Sequence, residues 1–160
     1  MREPDAPVAV TSTEPAATVE ARTVVAVETE APGATAVWVL SPHAVAGTPG
    51  AEIVPDLAPR PGEAVVRKRR YSGFFETDLA GLLHGLGVDT LALCGLQTDC
   101  CVLHTAADGF FRGFGLVILE DAVAARTRDG HRRALKDARR LYGARVLPSD
   151  TFLTLALVHG

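Results

Sequence analysis

Residues 89–122, DTLALCGLQTDCCVLHTAADGFFRGFGLVILEDA, constrain the fold of this chain more than any other stretch. They begin with an apolar run over residues 90–94, typical of a parallel strand buried on both faces, and Gly95 breaks that run. From Leu103 the apolar side chains recur at the spacing of one helix face, and Gly113 marks the end of that helix. Residues 116–119 then form a second apolar run. The stretch therefore predicts a strand–helix–strand unit.

Two adjacent cysteines, Cys100 and Cys101, fall at the start of the predicted helix, where Thr98 and Asp99 offer N-cap side chains. Cysteine is most often a small, buried packing residue, and that interpretation stays open for both. At a helix N-terminus, however, backbone N–H groups and the helix dipole lower the pKa of a thiol and can hold an oxyanion. The position is therefore a candidate for nucleophilic chemistry.

The rest of the chain continues the alternation of strands and helices, and residues 1–160 are predicted to form one domain. Residues 1–22 are atypical: either residues 8–10 form a short strand or the first residues are disordered. The pattern predicts an α/β, three-layer Rossmann-like fold with a mostly parallel sheet covered by helices on both faces. Further strands are expected at residues 23–27, 36–40, 64–68 and 145–147, and loops at 43–61 and 121–127. Helices are expected from a cap at Thr77 or Asp78 to about residue 86, over 128–142, and after a cap at Ser149 or Asp150.

Charge and composition argue against two classes of partner. The net charge is −3 and the pI about 5.9, which favours neither nucleic acid nor an anionic membrane surface. No apolar stretch reaches bilayer length, and the N-terminal residues do not resemble a secretory signal. Three cysteines, two of them adjacent, do not make a disulfide framework, so a cytoplasmic location is expected.

Five segments in order along the chain resemble one family. They are HAVAGTPGAEIVPDLAP (43–59), RKRRYSGFFETDL (67–79), GLQTDCCV (95–102), HTAADGFFRGFG (104–115) and EDAVAA (120–125). Together they resemble the isochorismatase-like cysteine hydrolases, which include nicotinamidases. The resemblance covers about the last three-quarters of the chain and marks an atypical or shortened N-terminal part.

The resemblance implies roles for particular residues. Cys101 matches the nucleophile, and Lys68 matches the catalytic lysine, whose ammonium stabilises a thiolate; otherwise Lys68 would be one exposed member of a basic run. A cis peptide bond is implied between Leu96 and Gln97, with the N–H groups of Gln97 and Cys101 directed at the oxyanion. The substrate pocket would be lined by three aromatic side chains that could instead pack into the core, Tyr71, Phe74 and Phe75.

The family's acidic catalytic residue, an aspartate after its first strand, has no counterpart in this sequence. Glu28 follows the apolar run at residues 23–27 and is the candidate replacement, although solvated glutamates after strands are common. Nicotinamidases of the family also bind a metal, and at the equivalent place this chain has Glu28, Thr29 and Glu30, with His43 further along. No metal or other cofactor is predicted; a divalent ion is the alternative.

Two functions follow from these residues. The first is hydrolysis of a small-molecule amide through a Cys101 thioester, which the cysteine favours over the vinyl-ether hydrolysis of isochorismatases themselves. The second is a catalytically impaired relative that binds a ligand or serves as a subunit. The expected partners are a small amide substrate and, as the resemblance implies, further copies of the chain, with neither nucleic acid nor membrane.

Overall fold

The computed structural model describes residues 8–12, 22–28, 44–45 and 47–158, with side chains at 44–45 and 47–155. The strand predicted at residues 36–40 lies outside these ranges. None of the helices within them is long and apolar enough to cross a membrane.

Six strands in the described residues form one sheet in the order β3-β2-β1-β4-β5-β6. Three adjacent pairs are parallel, while β1 runs antiparallel to both β2 and β4. The carboxyl ends of β2 to β6 therefore share one edge of the sheet, to which β1 contributes its amino end. The strands are β1 (Val8–Ser12), β2 (Arg22–Glu28), β3 (Ala64–Lys68), β4 (Thr90–Leu96), β5 (Gly115–Ala124) and β6 (Arg145–Leu147).

The helices of the described part follow the predicted alternation with the strands. They are α1 (Leu79–Gly85), α2 (Leu103–Phe111), α3 (Arg128–Tyr142) and α4 (Ser149–Val158), preceded by short 3₁₀ turns at Pro49–Ala51 and Pro55–Leu57. β3, β6 and α3 have the bounds predicted from the sequence. Gly143 ends α3 in the left-handed conformation, with φ of 63°.

Both faces of the central strands are covered, as the α/β prediction requires. Consecutive strand residues point to opposite faces, and Leu91, Ala92 and Leu93 of β4 are all at most 1% exposed. α2 lies close to this part of the sheet at Gly109, where a Cβ atom would be 3.0 Å from Leu91 Cδ1 and 3.2 Å from Leu116 Cδ2. The glycine therefore allows α2 to lie this close to the sheet.

Two local predictions were wrong. Residues 121–124 continue β5 instead of starting a loop, because after a register shift Val123 and Ala124 pair with Gly95 and Leu96. Thr98 and Asp99 do not cap α2, since a π-helical turn, Thr98–Val102, joins β4 to the helix and places helical backbone at its start. We call this segment the cysteine turn.

Candidate active site

Three of the predicted site residues lie at the shared carboxyl edge of the sheet. Lys68 is the last residue of β3, and Glu28, the last residue of β2, is its partner in the parallel register. Leu96 ends β4 and leads into the cysteine turn. Ligands of parallel sheets bind at such an edge, so the topology gathers these residues where a substrate is expected.

Lys68 is separated from the basic run by its burial. Its side chain is 1% exposed, whereas Arg67, Arg69 and Arg70 are exposed. An ammonium taken out of water needs polar partners, and Lys68 Nζ donates a hydrogen bond of 3.1 Å to the carbonyl of Arg70. The carbonyl of Arg70, two residues further along the chain, is therefore a polar partner of the buried ammonium group.

The two cysteines of the cysteine turn are buried to different extents. Cys101 is 8% exposed and belongs to the hydrophobic core cluster, while Cys100 is half-buried. The carbonyl of Gln97 accepts hydrogen bonds of 3.1 Å from the N–H groups of both Cys100 and Val102. The peptide bond between Leu96 and Gln97 is cis. The backbone around Cys101 is thus tied directly to the end of β4.

The aromatic loop, residues 71–76, is fastened to α2 beside the cysteine turn. Gly73 N–H donates a hydrogen bond of 3.0 Å to the hydroxyl of the fully buried Thr105. The Tyr71 ring lies 5.4 Å from the ring of His104, whose Nδ1 donates to the carbonyl of Cys100 at 2.7 Å. Tyr71 therefore lies next to the first turn of α2, and His104 connects it to the cysteine turn that carries Cys101.

The three aromatic residues predicted to line a pocket are placed differently from one another. Phe74 is 4% exposed, stacks on Phe114 with ring centroids 5.8 Å apart, and has the guanidinium of Arg112 over its ring at 4.9 Å. Tyr71 and Phe75 are 38% and 45% exposed. Phe74 is therefore a core residue, and the exposed rings of this loop are Tyr71 and Phe75.

The acidic residue and the metal ligands fall mostly outside the described side chains. The backbone of Glu28 is next to Lys68, but its side chain, like Glu30 and His43, is not among those described. Within the described ranges, no group of three His, Cys, Asp or Glu residues is placed to hold a metal ion. The prediction that the protein uses no metal therefore stays a prediction.

A contact between the cysteine turn and α3 is not evident from the sequence. The Thr98 hydroxyl lies 3.0 Å from Nδ1 of His131, and Asp99 lies against Gly130. In the structure Thr127 is the N-cap of α3, and its hydroxyl accepts a hydrogen bond from Gly130 N–H. In the sequence, this segment around Gly130 and His131 has the pattern of an ordinary helix start. The signal for the contact is non-local, because 33 residues separate Thr98 from His131.

Comparison with known proteins identifies the family. The model of the isochorismatase domain matches residues 1–151. The chain belongs to the isochorismatase family. The family resemblance predicted from five sequence segments is thereby confirmed, and the α/β fold class is confirmed by the structural neighbours.

Among relatives in the isochorismatase family, maleamate amidohydrolase from Pseudomonas putida is 37% identical over 116 residues, covering 72% of this chain. The match covers 54% of that relative, so this chain spans about half its length. An isochorismatase-like hydrolase from Alkaliphilus metalliredigens has a similar structure, with a TM-score of 0.78 and 33% identity over 82% of this chain and 71% of that one. The nicotinamidase/pyrazinamidase PncA from Bacillus subtilis is also similar in structure, with a TM-score of 0.74 and 34% sequence identity. That match covers 80% of this chain and 75% of the PncA chain.

Proposed function

We propose that the protein hydrolyses a small-molecule amide with Cys101 as the nucleophile. The observation that carries this proposal is the burial of Lys68 at the sheet edge to which the cysteine turn is joined. Lysine is almost never fully buried unless its charge is paired, and a nearby ammonium favours the thiolate over the thiol. Relatives named maleamate amidohydrolase and nicotinamidase/pyrazinamidase support an amide as the substrate.

The reaction would proceed in two steps. The Cys101 thiolate attacks the amide carbonyl carbon, and the negative charge that develops on the oxygen is met by the N–H groups of Gln97 and Cys101. The tetrahedral intermediate collapses by breaking the C–N bond, and the leaving nitrogen takes the proton that the thiol gave up, so that it departs as ammonia or an amine. Water then attacks the thioester, which releases the carboxylic acid and restores the thiol.

The proton of the Cys101 thiol needs an acceptor, and we assign that role to Glu28. The register places Glu28 beside Lys68, at the edge where the thiol must be deprotonated. Asp5 is the competing carboxylate, because it lies three residues before Val8 in the chain and β1 has its amino end at this same edge. No step of this mechanism requires a metal ion.

The test is hydrolysis of an amide panel that includes maleamate and nicotinamide, followed by ammonia release. Cys101→Ser should lower kcat/KM by at least about a thousandfold, because a serine hydroxyl at this position lacks the thiol's acidity and nucleophilicity. Cys100→Ser is the matched control, since it changes the neighbouring residue of the same turn and should retain activity within about threefold.

The alternative function, a relative that binds a ligand without turning it over, has its own signature. In that case the wild-type protein would release no ammonia from any amide of the panel. The same amides would still raise its thermal unfolding temperature, since a ligand that binds only the native state stabilises it. This outcome would contradict the hydrolase proposal and favour the binding protein.

A further inference from the structure

The first turn of α3 makes two close contacts with the cysteine turn. The first is polar: the Thr98 hydroxyl and His131 Nδ1 are 3.0 Å apart, and Thr98 is only 1% exposed. A buried hydroxyl needs a hydrogen-bond partner, and His131 supplies one from outside the turn. Thr98 is the first residue of the turn and directly follows Gln97.

The second contact is steric. A Cβ atom at position 130 would lie 2.5 Å from Asp99 Oδ2 and 3.0 Å from Thr127 Oγ1. Glycine is therefore required for the carboxylate of Asp99 to lie this close to the first turn of α3. An anionic group is favoured there, because the N–H groups at a helix start carry partial positive charge.

These contacts are not what holds α3 in the fold. Ala134, Leu135 and Ala138 are each at most 5% exposed, and they anchor the helix to the core from its second turn onward. His131 is half-buried and Gly130 adds no side chain. Both lie in the first turn of the helix and face the cysteine turn. Changing them therefore leaves the apolar anchor of the helix intact.

We propose that His131 and Gly130 are positioning residues for the nucleophile. Through Thr98 and Asp99 they fix the start of the turn, and so set the placement of Cys101 and of the Gln97 N–H group relative to the substrate carbonyl. The inference rests on the proposed amide hydrolysis. Misplacement of reacting groups by about 1 Å lowers rates by about a hundredfold, so a small shift of this turn has a large effect on turnover.

The polar contact is tested with His131→Leu and His131→Asn, with Thr98→Val as the reciprocal change. An asparagine amide stands as many bonds from Cα as histidine Nδ1 and preserves a partner for the Thr98 hydroxyl, whereas leucine removes it. We expect His131→Leu to lower kcat about ten- to a hundredfold with KM within about threefold, and His131→Asn to retain most of the activity. The Thr98→Val/His131→Leu double variant should lose no more than the larger single effect.

The steric contact is tested with Gly130→Ala against Gly81→Ala. Both glycines are the third residue of their helix, and a Cβ atom at Gly81 has nothing within 4 Å. Gly130→Ala should lower kcat about tenfold and slow alkylation of Cys101 by iodoacetamide, while Gly81→Ala should leave both unchanged. Thermal unfolding of each variant checks that it is folded.

Failure of this inference is distinguishable from failure of the proposed function. If wild-type protein hydrolyses amides and His131→Leu and His131→Asn lose equal activity, or neither loses any, the positioning role is overturned. If wild-type protein hydrolyses no amide, the proposed function fails, and the alkylation rate of Cys101 decides the inference alone. A rate that is unchanged in His131→Leu and Gly130→Ala then overturns it.

Discussion

The two halves of the sheet supply the candidate site in different ways. From β4 to α3 the chain builds the cysteine turn, buries Cys101 and encloses the turn with Thr98–His131 and Asp99–Gly130 contacts. At β1 the strand runs opposite to its neighbours, so its carboxyl end, Ser12, is at the far edge of the sheet. The proposed nucleophile, Cys101, and the proposed proton acceptor, Glu28, therefore depend on different halves of the sheet.

This difference bears on the family's acidic residue. An aspartate placed after the first strand reaches the active-site edge only if that strand is parallel to the others. Because β1 is antiparallel, the first strand in the described part of the chain whose carboxyl end lies at this edge is β2, which ends at Glu28. The absence of the aspartate motif from the sequence is thus consistent with the direction of β1. Both observations favour Glu28 as the candidate acidic residue.

The largest effect that separates the two halves is expected from Glu28→Gln. Removing a general base costs about 10²- to 10⁴-fold, so kcat/KM for the amide should fall by that factor. Asp5→Asn is the matched control, since it also replaces one carboxylate by its amide. The assignment is contradicted if Asp5→Asn causes the large loss and Glu28→Gln leaves hydrolysis intact.

A smaller effect is expected within the half that builds the nucleophile. In Gly109→Ala the new methyl group meets Leu91 and Leu116, which are at most 5% exposed and have little room to move. Overpacking costs about 1–3 kcal/mol and the helix propensity of alanine returns about 1 kcal/mol, so unfolding free energy should fall by up to about 2 kcal/mol.

Urea denaturation measures this change, with Gly81→Ala as the control. Gly81 is open to space, so alanine there should stabilise the protein by up to about 1 kcal/mol. An increase in the free energy of unfolding for both variants would mean that α2 is not packed tightly against the sheet. The helix would then not give the cysteine turn a rigid support.

Some of this architecture follows from local signals and some does not. The bounds of α3 follow from Thr127 as N-cap and Gly143 as the left-handed stop, both local properties. The direction of β1 and the pairing of Thr98 with His131 depend on contacts between distant segments, which residue patterns do not encode. The family resemblance implies a catalytic role for Lys68, but its burial is not evident from the sequence, where Lys68 belongs to a basic run that has the pattern of an exposed surface.

The smallest effect concerns acid stability near β5. The pKa of Asp121 is lowered from its ordinary value because the Ser149 side chain and, to a lesser degree, its backbone N–H donate hydrogen bonds to the carboxylate. A depressed native pKa stabilises the fold above the ordinary pKa of 3.8, and this contribution disappears as pH falls through the native value.

Asp121→Asn should therefore lower the thermal unfolding temperature slightly at neutral pH, and the difference from wild type should vanish in acid below the ordinary carboxyl pKa. Thermal scans across this range measure it. A difference that persists undiminished in acid would show that the carboxylate charge is not what connects β5 to the start of α4.

We propose that the buried Lys68 and Cys101 form one reactive unit, and the pH profile of Cys101 alkylation by iodoacetamide is the most direct test of this proposal. Mass spectrometry of wild type, Lys68→Ala and the exposed-neighbour control Arg67→Ala would follow each cysteine separately. We expect fast alkylation of Cys101 well below the ordinary thiol pKa of about 8.5, with the profile moved to higher pH in Lys68→Ala and unchanged in Arg67→Ala. Alkylation of Cys101 that follows an ordinary thiol profile, or that is indifferent to loss of Lys68, would contradict it.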